Sequence, residues 1–143
     1  MSNSIDKLAA LHTAAIDARN GYREAEHEAQ GKGLTPLFAE LEALHQKHAD
    51  ELAQLLMARG QKADQNGSFM SVVHKTIMDV RALFGGLDES VIPGLIDGEQ
   101  RNVAKYDQAL KEPEVAEVQD VLGRQKGELS AQINRMLAAQ PKT

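Results

Sequence analysis

The sequence predicts an all-α protein: an antiparallel four-helix bundle with a long crossover carrying an additional short helix. Three observations predict it. Apolar residues recur at helical spacing almost from end to end, and no stretch of four or more residues alternates in the β-branched or aromatic pattern of a strand. Short breaks at 31–34 and 111–113 imply two antiparallel helix hairpins, whereas the join at 60–88 is long. The composition suits close helix packing, with 20 Ala against 4 Pro, no Cys, no Trp, 3 Phe and 2 Tyr. A core with so much Ala is thin and cannot rest on large aromatic side chains. An up-down arrangement of five equal helices is the weaker alternative. Residues 1–143 are expected to form one domain.

The first helix is expected over 4–30, with Ser4 as N-cap and Ile5, Leu8, Leu11, Ala15 and Tyr22 as its apolar stripe. His12 stands beside that stripe. Gly21 lies inside the helix, which a close helix contact or a kink would explain. The glycines of GKG at 31–33 punctuate the chain, and Thr35 and Pro36 supply the N-cap and first position of a helix over 36–59. Its stripe is Leu37, Leu41, Leu44, His48, Leu52 and Leu55, with His48 where a Leu would be expected. Gly60 is its C′ glycine.

The segment 60–67 reads as a loop, and Ser68 caps a shorter helix over 69–84 that ends at Gly85–Gly86. The next helix is expected over 90–110. Started at Ser90 it holds Pro93 in its first turn; started at Asp88 it would be kinked. Its stripe is Ile92, Leu95, Glu99, Val103, Tyr106 and Leu110, so a Glu occupies a core-facing position, with Asn102 one turn on. The last helix, 113–139, has Pro113 at its head and a face of Val118, Leu122, Gln125, Leu129, Ile133 and Met136, with Gln132 alongside. Two helix hairpins joined by one long crossover make the ferritin-like topology.

Charge and composition exclude several functions. The formal net charge is -5, and the basic residues are dispersed, so no surface for a phosphate backbone is expected. No apolar run approaches the length of a membrane span, and the first twenty residues lack a secretory signal's basic and apolar regions. A cytoplasmic protein without nucleic-acid or membrane partners is expected. Without Cys there is no disulfide, no thiolate nucleophile and no Cys-ligated metal. Ser68, Ser71 and His74 could be drawn as a nucleophile and base, but no carboxylate is evidently placed to orient His74. No catalytic or organic-cofactor site is predicted.

The informative residues are the ionisable ones that interrupt apolar stripes. Two multivalent cations in a bundle core require several inward carboxylates, usually a Glu from one helix of each pair and Glu-x-x-His from the other. Glu42–His45 is a literal Glu-x-x-His, and His45–His48 is a second i,i+3 pair, but both cannot be central. Glu99 is central, and His12, Glu24 and Glu28 are further candidates on the first helix. The final helix offers Gln125, Glu128 and Gln132, and no His follows position 74. It withholds the ligands of a complete di-metal site. The structural reading therefore leads: an inward network of His48, Glu99, Gln125, Tyr22 and Tyr106, with His48 bonded to Glu99, Tyr106 or Gln125. Glu99 would pair with His48, Arg19 or Arg124. His12, His27, His45 and His74 read as flank or surface residues.

The stretches DARNGYREAEHEA (17–29), TPLFAELEALHQKHADEL (35–52) and GLIDGEQRNVAKYDQAL (94–110) resemble the PA2169-type four-helix-bundle family, a ferritin-like domain of unknown function. The resemblance covers about residues 4–139 and implies architecture above all. It places Glu24 or a near neighbour, His45 with His48, and Glu99 near the position where ferritin-like proteins hold iron. His45 stands where the Glu of their Glu-x-x-His would be if His48 is the matched His, and the last helix has Gln125 and Glu128 in place of Glu and His. A non-enzymatic bundle with a stress-related or interaction role is expected, and these departures speak against oxidase or iron-storage activity. A metal-binding protein using His48, Glu99, His45 and Glu24, with iron or another transition metal, is the alternative. The bundle is expected to be a homo-oligomer, a dimer favoured, and a third reading is an oligomeric scaffold or partner-binding bundle, since Val72, Met78, Leu83, Leu87 and Val91 are apolar off the main stripes.

Overall fold

The computed structural model describes residues 2–28, 35–61, 92–112 and 116–139. Each of these stretches forms one helix: α1 (Ser2–Glu28), α2 (Thr35–Met57), α3 (Ile92–Leu110) and α4 (Ala116–Ala139). The four long helices read from the periodicity are thus present, each bound within three residues of the expected one. The expected short helix at 69–84, its flanking glycines, GKG at 31–33, the Ser68–Ser71–His74 set and the off-stripe apolar residues at 72–91 lie outside the described residues.

Local chemistry explains the ends. After α2, Gly60 adopts a positive φ of 77°, and Gln61 N–H donates to Leu56 C=O while Gly60 N–H donates to Met57 C=O. This pair of bonds is the Schellman termination, in which a glycine supplies the left-handed residue. Helix α3 opens at Ile92, so Pro93 sits in the first turn, where its missing N–H leaves no bond unmade. Helix α1 begins at Ser2, so Ser4 is not its cap. It runs unbroken through Gly21, which is buried, in keeping with a close helix contact.

Helix α1 packs along α2 and α3 along α4, while α1 also meets α3 and α2 meets α4. The apolar core has two halves. One gathers Ala18, Tyr22 and Ala25 with Phe38, Leu41, Ile92, Leu95, Ile96, Ile133 and Met136. The other gathers Leu8, Leu11, Ala15 and Ile16 with Leu52, Leu55, Leu56, Tyr106, Ala109, Val118, Leu122 and Leu129. These groupings set the directions: α1 and α4 run one way, α2 and α3 the other. Helix α2 therefore ends beside the start of α1, and α3 starts beside the end of α1, so the join between them links opposite ends of the bundle. That requires a long connection, as the sequence has. Leu41 and Leu52 are fully enclosed, and truncating either to Ala should cost about 2–5 kcal/mol.

Between the two apolar halves lies a polar layer: His45 and His48 on α2, Glu99 on α3 and Gln125 on α4 are all at most 2% exposed. Among the described residues, no helix is long and apolar enough to cross a membrane.

Candidate functional site

The polar layer is built by helical spacing. His45, His48 and Glu51 follow at intervals of three on α2; Glu99, Asn102 and Tyr106 at three and four on α3; Gln125, Glu128 and Gln132 likewise on α4. Residues three and four apart share a helix face, so each helix presents one short polar stripe to its neighbours. Helix α1 contributes Tyr22.

Glu99 is the centre of the first cluster. Its Oε2 accepts from Tyr22 Oη at 2.6 Å and lies 2.8 Å from His45 Nε2, while Asn102 Nδ2 donates to Oε1 at 3.0 Å. Burial would raise this carboxyl, but the favourable field and hydrogen bond of His45, with the bonds from Tyr22 and Asn102, outweigh it and hold it below the ordinary carboxylate range. An ionised carboxylate only accepts, so the proton in the His45 contact sits on Nε2. The Tyr22 and His45 rings stack with centroids 5.7 Å apart, and burial, reinforced by the Glu99 charge, pushes the Tyr22 phenol well above its usual value.

The second cluster runs from α3 to the edge of the bundle. Tyr106 Oη donates to Gln125 Oε1 at 2.6 Å, and Gln125 Nε2 donates to Glu51 Oε1 at 2.9 Å and to the His48 carbonyl at 3.4 Å. His48 Nε2 lies 3.0 Å from Glu128 Oε1. Lys47 reaches Glu128 at 3.3 Å, and Arg124 forks between Glu128 at 3.1 Å and Glu51 at 2.7 Å. Burial pushes the His48 imidazole down to about 4, against the opposing pull of its bond to Glu128. Its Nδ1 is buried with no hydrogen-bond partner among the described residues. The two clusters meet edge to face where the His45 and His48 rings are 6.1 Å apart.

A cavity of about 10 Å³ lies beside the first cluster, lined by Leu11, Ala14, Ala15, His45, Asn102, Tyr106 and Leu129. That is the lower limit for one water molecule, and no organic substrate fits. Among the described residues, no group of three or more His, Asp or Glu could hold a metal ion.

The sequence reading named most of these side chains but paired several of them wrongly. His48 bonds Glu128, not Glu99, Tyr106 or Gln125, although its carbonyl does receive Gln125. Glu99 pairs with His45, not with His48, Arg19 or Arg124. His45 and His12, read as flank or surface residues, are 2% and 1% exposed. The cause is the breadth of the apolar face: α2 touches both α1 and α4, and α1 touches both α2 and α3, so positions on either side of the central stripe are enclosed. Glu42, the first residue of the Glu-x-x-His, is half-buried and pairs with Arg23 at 2.8 Å, away from Glu99 and His48 in the hydrogen-bond network. Glu24 is half-buried on α1, and the Glu99 and His48 hydrogen bonds run to other residues. Glu51 was missed; its place three residues after His48 was the available signal.

Residues 3–112 match the model of a family described as DUF2383, a domain of unknown function. Among solved structures, the chain resembles the crystal structure of a conserved hypothetical protein, rv2844, from Mycobacterium tuberculosis. The TM-score is 0.75 at 13% identity, covering 97% of this chain and 98% of that one. At that identity the likeness concerns the fold. No curated protein matches.

Proposed function

Because the chain belongs to the DUF2383 family, a domain of unknown function, we propose from its geometry that it is a non-enzymatic, ferritin-like bundle of the PA2169 type. In this reading the buried polar layer fixes the alignment of the four helices, at the depth where ferritin-like proteins hold iron, and the role in the cell is one of interaction through the outer surface. The observation that carries it is the engagement of Glu99: three donors from three different helices, α1, α2 and α3, already occupy its two oxygens.

The donor set does not fit a di-metal centre. His45 and His48 each face a different carboxylate, and Glu128 is shared with Lys47 and Arg124, whose positive charges oppose a cation there. Metal binding by His45, His48, Glu99 and Glu24 remains the competing reading, and one experiment separates the two. The protein is produced in medium supplemented with iron, manganese and zinc, purified gently, and analysed by mass spectrometry for metal. The structural reading expects far less than one metal per chain and a melting temperature insensitive to chelator. A stoichiometric metal that is lost on Glu99→Ala would overturn it.

A further inference from the structure

The composition leaves few side chains that can give up a single electron. There is no Cys and no Trp, and only two tyrosines, Tyr22 and Tyr106. Both are buried, at 0% and 3% exposure, and both donate a hydrogen bond of 2.6 Å. They differ in the acceptor. Tyr22 donates to the Glu99 carboxylate, whereas Tyr106 donates to the amide oxygen of Gln125.

That difference matters because a phenol that loses an electron becomes a very strong acid. A carboxylate in hydrogen-bond contact can take the proton at once and hold it; an amide oxygen is a far weaker base. The Glu99 charge also favours removal of an electron from its neighbour, since a positive charge would otherwise form in a medium of low polarity. We propose that Tyr22 is the site at which this protein undergoes one-electron oxidation, passing its phenolic proton to Glu99 Oε2 as the electron leaves to an oxidant of the organic peroxyl-radical class. The Tyr22 O–H bond breaks and an O–H bond forms on Glu99. Left in the site are a neutral phenoxyl radical and a carboxylic acid, and the peroxyl radical gains one electron to become a peroxide anion, which takes a proton from water. Both groups left in the site are uncharged, which suits an enclosed site, and the surrounding Phe38 and His45 rings keep the radical from meeting another. A one-electron reductant reverses the step, with Glu99 returning the proton.

The test uses a photogenerated ruthenium(III) polypyridyl complex as the oxidant, followed by rapid freezing and electron paramagnetic resonance of the full chain. A phenoxyl signal is expected in the wild type and in Tyr106→Phe, with most of it lost in Tyr22→Phe. Glu99→Gln, which keeps the shape but removes the base, should lower the yield several-fold, and the wild-type oxidation should slow in heavy water. A signal that survives Tyr22→Phe and vanishes in Tyr106→Phe would overturn the assignment, as would no phenoxyl signal at all. A Glu99→Gln yield equal to the wild type would overturn the proton transfer. Circular dichroism establishes that the variants are folded; should Glu99→Gln fail to fold, the comparison of the two Phe variants still decides.

Discussion

His48 Nε2 lies 3.0 Å from Glu128 Oε1, joining a fully enclosed imidazole on α2 to a carboxylate on α4 that is 31% exposed. The histidine stays neutral because burial outweighs its carboxylate partner, and its proton affinity falls to about 4. An unfolded histidine takes up its proton near 6.5.

Stability should therefore depend on pH in a defined window. Between about 6.5 and 4 the unfolded chain binds the proton that folded His48 refuses, so unfolding is favoured as pH falls, by roughly 3 kcal/mol over the window. Glu99 and Glu128, held below the ordinary carboxylate range, add a loss of the same sign at the acid end. Urea denaturation at half-unit steps of pH measures the slope. His48→Gln should flatten it above pH 4.5; an unchanged slope would remove His48 as its source.

Glu99→Ala should be among the most damaging polar substitutions. It leaves Tyr22, His45 and Asn102 without their common acceptor in an enclosed site, at a cost of about 3 kcal/mol. Glu99→Gln keeps one acceptor oxygen and should cost less. Chemical denaturation of both variants reads this order, and a loss below about 1 kcal/mol for the Ala variant contradicts it.

Gln125 and Tyr106 should be energetically coupled. Removing the amide with Gln125→Leu strands the Tyr106 hydroxyl and the Glu51 oxygen, at about 2 kcal/mol, whereas Tyr106→Phe costs about 1 kcal/mol. In the double variant the costs should fall short of their sum by about 1 kcal/mol. Strict additivity in a double-mutant cycle would mean that the 2.6 Å bond carries no stability.

Two exposed glycines interrupt α4. A Cβ built at Gly123 or Gly127 meets nothing within 4 Å, so Ala should be accommodated at both. Each replacement should stabilise the fold by about 0.5–1 kcal/mol through helix propensity and a less flexible unfolded chain. Thermal melts of the single and double variants measure it. A lower melting temperature for either would point to a contact on that face.

Much of the fold was legible in the chain. The stripe of Leu41, His48, Leu52 and Leu55 gave α2, Gly60 gave its end, and Glu99 and Gln125 stood out as polar residues in apolar positions. What could not be read was which polar residue would meet which. His45 looked peripheral because one stripe was assigned to one neighbour, yet α2 has two neighbours, and a helix packed on two sides buries a wider face. Glu128 stood out only as the nearest carboxylate on α4, and Glu51 not at all.

Spacing along the chain therefore determined the four helices, the inward positions and the shortage of ligands on α4, because helical periodicity is a local property. It also determined that Tyr22 and Tyr106 are the only phenols. Tertiary structure alone decided that Tyr22 finds a carboxylate 77 residues away and Tyr106 an amide 19 residues away. Those pairings depend on the rotation and relative height of packed helices, to which no single helix's sequence refers.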